Sequence, residues 1–147
     1  MAGYDPNQPR DKEGQWTDNG ASLSKEGERE FSLFSTYSQR WLGGIDADAR
    51  ATAFYLAKSN KELHTYLLQQ SYGADVPKVA TLFRVGGIEY YEDSQIVSLF
   101  STLQAAESYQ ERMGVDSIRR FEVPTSQIVP SGSPSGEMWV EMDWLIN

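Results

Sequence analysis

Apolar residues recur at three- and four-residue intervals through the first half of the chain, then give way to short runs and alternation after Pro77. That change of period predicts helices followed by strands. Between Lys25 and Leu42 the residues Phe31, Phe34, Tyr37, Ser38 and Trp41 mark one helical face, which reads as core, and Gly43-Gly44 supplies the stop. From Asp46 to Lys58 a narrower stripe of Ala49, Ala53 and Leu56 predicts a second helix, with Asp46 and Asp48 in its first turn, where the dipole favours carboxylates. Ser59-Asn60-Lys61-Glu62 has the spacing of a capping box and opens a third helix that carries Leu63, Tyr66 and Leu67 to Gly73.

The second half reads as strands around one helix. Val79 to Val85 is rich in β-formers and ends at Gly86-Gly87, and Gln95 to Ser101 is a second short apolar run. Thr102 caps a helix from Leu103 to Met113, closed by Gly114. Ile118 to Val123 alternates loosely and stops at Pro124. From Glu137 to Ile146, Met138, Val140, Met142 and Trp144 fall on one face and Glu137, Glu141 and Asp143 on the other. The fold class is therefore α+β, with N-terminal helices packed on a small mixed or antiparallel sheet. Residues 1–24 read as a flexible arm, because Asp5-Pro6-Asn7-Gln8-Pro9-Arg10 and Asp18-Asn19-Gly20 are turn chemistry without an apolar period. Residues 25–147 form one domain, helical over 25–73 and sheet-rich over 77–147.

Composition narrows the chemistry. The 147 residues suffice for one core, and 39% hydrophobic with 12% aromatic content is enough to offset the entropy of ordering it. Thirteen basic against 21 acidic residues give a net charge of −8, which repels phosphate backbones and argues against non-specific duplex binding. Without cysteine there is no disulfide framework, thiol nucleophile or cysteine zinc site. The single histidine, His64, leaves little room for multi-imidazole metal sites or a Ser–His relay, so no metal is expected. No apolar run approaches the roughly 20 residues of a membrane span, and Met1 to Asp18 lacks the apolar stretch of a signal peptide. A soluble cytoplasmic protein is the expectation.

Three signals stand in order between Thr81 and Val140. Leu82-Phe83-Arg84-Val85-Gly86-Gly87 puts a guanidinium in a strand before paired glycines. Ser98-Leu99-Phe100-Ser101-Thr102-Leu103-Gln104-Ala105-Ala106 ends a strand in hydroxyls and opens a helix. Ser135-Gly136-Glu137-Met138-Trp139-Val140 starts a strand with a carboxylate. In this order they resemble the ADP-ribosyltransferase family, in its Arg–Ser–Glu class of clostridial toxin-like enzymes, over roughly Thr81 to Asn147. The resemblance implies a split β-sandwich that uses NAD as substrate. It implies that Arg84 meets the NAD phosphates beside Gly86, that Ser101 and Thr102 support the nicotinamide pocket, and that Glu137 is the catalytic carboxylate on the nicotinamide ribose. Ser135 stands on the acceptor side, two residues before Glu137, where the family often has Glu or Gln.

Physical chemistry agrees with those roles. Cleaving the nicotinamide–ribose bond builds positive charge on the sugar, as in glycoside hydrolysis, and a preorganised carboxylate stabilises it. A planar guanidinium grips a pyrophosphate better than an ammonium does. Each residue also has a plain reading: Arg84 as an edge arginine, Ser101-Thr102 as an N-cap, Glu137 with Glu141 and Asp143 as a solvated acidic face, His64 as a surface or half-buried helix residue.

The arm carries a second resemblance. Arg10-Asp11-Lys12-Glu13-Gly14-Gln15-Trp16-Thr17 looks like the leader of many tailed-phage proteins. Together these imply a phage-type mono-ADP-ribosyltransferase acting on a host macromolecule, in the host cytoplasm or carried by the virion. The rival is a non-catalytic acidic inhibitor of a host defence factor, docking a basic partner through Glu89, Glu92, Asp93, Glu107 and Glu111. Deleting Met1 to Asn19 is expected to leave the thermal midpoint within about a few degrees, because an aperiodic arm adds little burial. Loss of cooperative melting in the truncated chain would instead make Trp16 a structural plug.

Overall fold

The computed structural model describes residues 23–87 and 95–145. The arm with Trp16 and the phage-like phrase, the carboxylates Glu89, Glu92 and Asp93, and Ile146 lie outside the described residues. Four helices, α1 (Lys25–Leu42), α2 (Ala49–Lys58), α3 (Lys61–Tyr72) and α4 (Leu103–Met113), accompany five strands, β1 (Val79–Val85), β2 (Ile96–Phe100), β3 (Ile118–Pro124), β4 (Val129–Pro130) and β5 (Glu137–Glu141). The strands form one antiparallel sheet in the order β3-β1-β2-β5-β4. This is the α+β class expected from the periodicity.

The helix ends show how local chemistry was resolved. Ser24 caps α1 through its side chain, and Thr102 caps α4 by accepting from the Ala105 N–H, as its position predicts. The capping box at 59–62 does not form. Asn60 is the cap of α3, accepting from Leu63 N, and Ser59 Oγ turns back to Leu56 O. Glu62 instead spans to α1, where it accepts from the backbone N–H and hydroxyl of Ser24 at 2.7 and 2.9 Å. That contact lies over Gly27, where an added Cβ would sit 2.7 Å from Glu62 Oε1, so a larger residue there would make the Glu62 carboxylate shift. Helix α2 begins at Ala49 rather than Asp46, because Asp46 Oδ1 accepts from Asp48 N and forms a turn ahead of the helix.

The connection from β3 to β4 shapes the sheet. These strands are the two edges, yet only Thr125 to Ile128 lie between them. Four strand spacings would put the edges of a flat sheet about 19 Å apart. Five Cα steps reach at most about 18 Å when fully extended, and part of this link is a 3-10 turn. The sheet therefore curls towards itself. Thr125 anchors the corner, with its N–H on Lys78 O and its hydroxyl on Pro77 O. The inner face is filled by Ala80, Leu82, Val97, Leu99, Val123, Ile128, Met138 and Val140, closed by Met142 and Leu145. On the outer face, α1 to α3 cover Ile96, Val129 and Trp139, and α4 covers Val85 and Phe100.

The last strand departs from simple alternation. It ends at Glu141, and Met142–Trp144 turn into a 3-10 helix that buries Met142 and leaves Trp144 exposed. Both faces of β5 are covered, so Met138, Trp139 and Val140 are all buried. Strand β4 went unforeseen, being too short to show a period.

His64 fastens α3 to this frame. Its Nε2 lies 2.7 Å from Ile128 O, and the ring is half-buried. Burial holds the imidazole below its ordinary 6.5, Lys58 adds to the lowering, and the Ile128 hydrogen bond opposes it. The folded chain thus binds this proton less readily than the unfolded chain does. Its stabilising contribution is present above the unfolded value and is lost as pH falls through 6.5 towards the lower folded value. The unfolding midpoint of the parent is expected to drop more steeply between pH 7.5 and 5.5 than that of His64→Gln. Parallel profiles would show that His64 does not titrate with folding.

Candidate functional site

Antiparallel pairing of β2 with β5 sets Phe100 opposite Glu137 and Ser98 opposite Trp139, so these four side chains share one face. Glu137 opens β5 at the end where the helices meet the sheet. Three donors converge on one of its oxygens, Oε2: Ser98 Oγ at 2.8 Å, Trp41 Nε1 at 2.9 Å and Trp139 Nε1 at 2.9 Å. They come from β2, the last turn of α1, and β5 itself. Oε1 has no partner among the described residues. This is a half-buried carboxylate held by one oxygen, not a member of a solvated face. Glu141, further along the strand, accepts from the Tyr55 hydroxyl at 3.1 Å. Burial, followed by the hydrogen bond and charge of Glu141, pushes the Tyr55 hydroxyl up from 10.0.

Arg84 reaches the same strand by another route. The β1–β2 ladder is a single pair, Phe83 with Phe100, whereas β1 and β3 pair over seven positions. Beyond that pair the strands fork, and Arg84 bridges the fork with Nη1 on Ser98 O at 2.9 Å and Nε on Gly87 O at 3.1 Å. Alternation would set Arg84 and Glu137 on opposite faces of the sheet, and they meet at Ser98, one at its carbonyl and the other at its hydroxyl. Arg119 lies directly opposite Arg84 in the β1–β3 ladder. Two like charges in that register repel, and the exposed Arg119 guanidinium lies over the Phe121 ring, 5.0 Å from its centre.

The hydroxyls expected at the pocket divide. Ser101 lines a cleft of about 180 Å³ together with Gly136, Glu137, Ser133, Pro134 and Ser71. Gly136 has φ 80°, and a Cβ there would meet Ser101 Oγ at 2.7 Å, so glycine lets β5 start this close to Ser101. Thr102 is taken up by capping α4. Gly86, also at positive φ, turns the chain with its N–H on Ser117 O. Ser135 belongs to a turn in which Ser131 and Ser133 hydroxyls accept from the backbone N–H groups of Ser133 and Ser135. The stretch before Glu137 is thus a hydrogen-bonded turn tied to α1 by Ser38 Oγ on Ser131 O at 2.6 Å, not a free loop. Of the acidic stretch, Glu107 and Glu111 are exposed on α4.

Sequence reasoning missed Ser98, Trp41, Trp139 and Arg50. Period two from Glu137 marks Trp139, and period two back from Phe100 marks Ser98, but only the pairing register brings them together. Trp41 does belong to the core-facing stripe of α1, yet its indole N–H is spent on Glu137. Among the described residues, no group of three or more His, Asp or Glu could hold a metal ion, and no helix is long and apolar enough to cross a membrane.

Replacing Arg84 by Lys leaves one of the two carbonyls at the fork without its donor. Arg84→Lys is expected to lower stability by about 1 kcal/mol, the usual net value of such a hydrogen bond. An unchanged denaturant midpoint would mean that the fork is held without Arg84. Comparison with family models, with curated proteins and with solved structures returns no match to this chain, so its functional reading rests on the geometry of Glu137, Ser98, Arg84 and the cleft beside them.

Proposed function

We propose that this chain is a phage-type mono-ADP-ribosyltransferase-like protein that uses NAD to modify a host macromolecule, with Glu137 at the reacting centre. The observation that carries the reading is the Glu137 carboxylate, fixed through Oε2 by three donors and left with Oε1 to accept from a ligand. Such an acceptor, already oriented, gains from a ribose hydroxyl without first losing freedom of its own.

In the reaction the C–N bond between ribose and nicotinamide breaks, and its electron pair leaves with the nicotinamide, which becomes neutral. Positive charge develops on the ribose ring, and the negative carboxylate of Glu137 stabilises it. A nucleophilic atom of the target bonds to the anomeric carbon and gives up its proton to solvent. The cleft of about 180 Å³ at Glu137 and Ser101 is smaller than the roughly 300 Å³ of a pocket for a whole drug-sized ligand, so it suits the nicotinamide end alone. Arg84, whose Nε and Nη1 hold the fork, would offer the pyrophosphate its remaining N–H groups. Ser135 stands exposed on the turn before Glu137, on the side from which a target would approach. No metal enters this scheme. The resemblance of the leader to those of tailed-phage proteins is what supports placing the work in the host cytoplasm, or in a virion that delivers the protein there.

Release of nicotinamide, with transfer of labelled ADP-ribose into a host lysate, tests the proposal. Glu137→Gln is expected to lower turnover by about 10²–10³ with NAD still bound, because amide replaces charge at the developing cation. Glu141→Gln, which touches only the Tyr55 tie, should remain close to the parent. Full turnover in Glu137→Gln would remove this residue from the chemistry. Absence of turnover in the parent across all lysates would leave the acidic inhibitor as the reading.

A further inference from the structure

Arg50 stands behind the carboxylate rather than against it. It lies in the first turn of α2, half-buried, and its Nη1 donates to Ser98 Oγ at 2.9 Å. Its guanidinium carbon sits 4.1 Å from the centre of the Trp41 ring, a stacked cation–π contact that fixes the plane of the group. Ser98 Oγ in turn donates to Glu137 Oε2 at 2.8 Å.

A serine hydroxyl has one proton and can both donate and accept, and in isolation its rotor is free to choose. A guanidinium has no acceptor to offer. Once Arg50 donates to Ser98 Oγ, that oxygen is engaged as an acceptor, and its single proton is left for Glu137. We infer that Arg50 is a positioning residue, which locks the Ser98 hydroxyl as a donor and thereby fixes the Glu137 carboxylate. Stacking on Trp41 holds Arg50 itself in place. The cradle then contains three donors with no freedom to reverse: two indole N–H groups that can only donate, and a hydroxyl that Arg50 has oriented. The consequence for catalysis rests on the proposed role of Glu137, whereas the consequence for the carboxylate's position does not.

Trp139 gives a readout that separates the two. Its indole N–H is bonded to Glu137 Oε2, so its resonance reports where that oxygen lies. Trp41 is unsuitable, because Arg50 stacks on its ring directly. In the NAD-free protein, Arg50→Lys is expected to move the Trp139 indole signal, assigned with Trp139→Phe, and Ser98→Ala to move it in the same direction. Ser98→Thr, which keeps the hydroxyl, should restore the parent position. On the Ser98→Ala background, Arg50→Lys should shift the signal by clearly less than it does in the parent, because the step through Ser98 is gone and only the stacking on Trp41 remains. An unmoved Trp139 signal in folded Arg50→Lys, or a fully additive shift in the double variant, would overturn the inference whether or not the protein turns over NAD. Where the parent does turn over NAD, Arg50→Lys should lower kcat by about 10–100-fold, the usual effect of a group that orients a reacting one, with KM for NAD near the parent value. A displaced Trp139 with unchanged kcat would overturn the catalytic consequence while leaving Glu137 in place.

Discussion

A link of four residues joins the two opposite edges of a five-stranded sheet, and much of the architecture follows from that constraint. A flat sheet is too wide for it, so the strands must curl until Pro124 and Val129 come within reach. Curling encloses one face, which fills with aliphatic side chains from the strands and is closed by the terminal turn at Met142 and Leu145. The outer face is left for helices, with α1 to α3 over Trp139 and Ile96 and α4 over Phe100. Where the two helical groups part, β1 separates from β2 after one pair, and that fork is the opening on which Arg84 lies.

Glu137 occupies the seam between layers. Half-burying a carboxylate is costly unless hydrogen bonds replace the lost water, and each bond to a charged group returns about 1.5–3 kcal/mol. Three such bonds, from α1, β2 and β5, offset this cost, and the one from Trp41 ties the helical layer to the sheet. A carboxylate serving only as a staple could use both oxygens equally. Here the donors crowd one oxygen and leave Oε1 without a partner among the described residues. The side chain that makes this tie is the one proposed to react, and the Ser98 hydroxyl that donates to it accepts in turn from Arg50.

Most elements could be read from the chain because their signals are local. The α1 stripe and its Gly43 stop, the Thr102 cap with Gly114, and the β1 run before Gly86 each depend on residues within one or two turns of each other. Local rules failed where a distant group competed. Glu62 satisfied Ser24 of another helix instead of its own cap, and Asp46 formed a turn ahead of α2. Alternation past Glu141 failed because Met142 and Leu145 gain more by closing the curled face than by extending a strand.

Of the candidate site, the sequence by itself proposed Arg84, Ser101 and Glu137, since a guanidinium before paired glycines, hydroxyls at a strand end and a carboxylate at a strand start are visible in order along the chain. It also determined the α+β class, because the period of apolar positions is a property of neighbours. Tertiary structure alone decided that Ser98 is the hydroxyl on Glu137, while Ser101 lines the cleft and Thr102 is spent on a helix cap. It alone turned the Trp41 indole from core filling to a donor and brought Arg50 behind Ser98. The reason is separation: Trp41 and Glu137 stand 96 residues apart and Arg50 and Ser98 stand 48 apart, and only packing α1 and α2 on a registered sheet makes them neighbours.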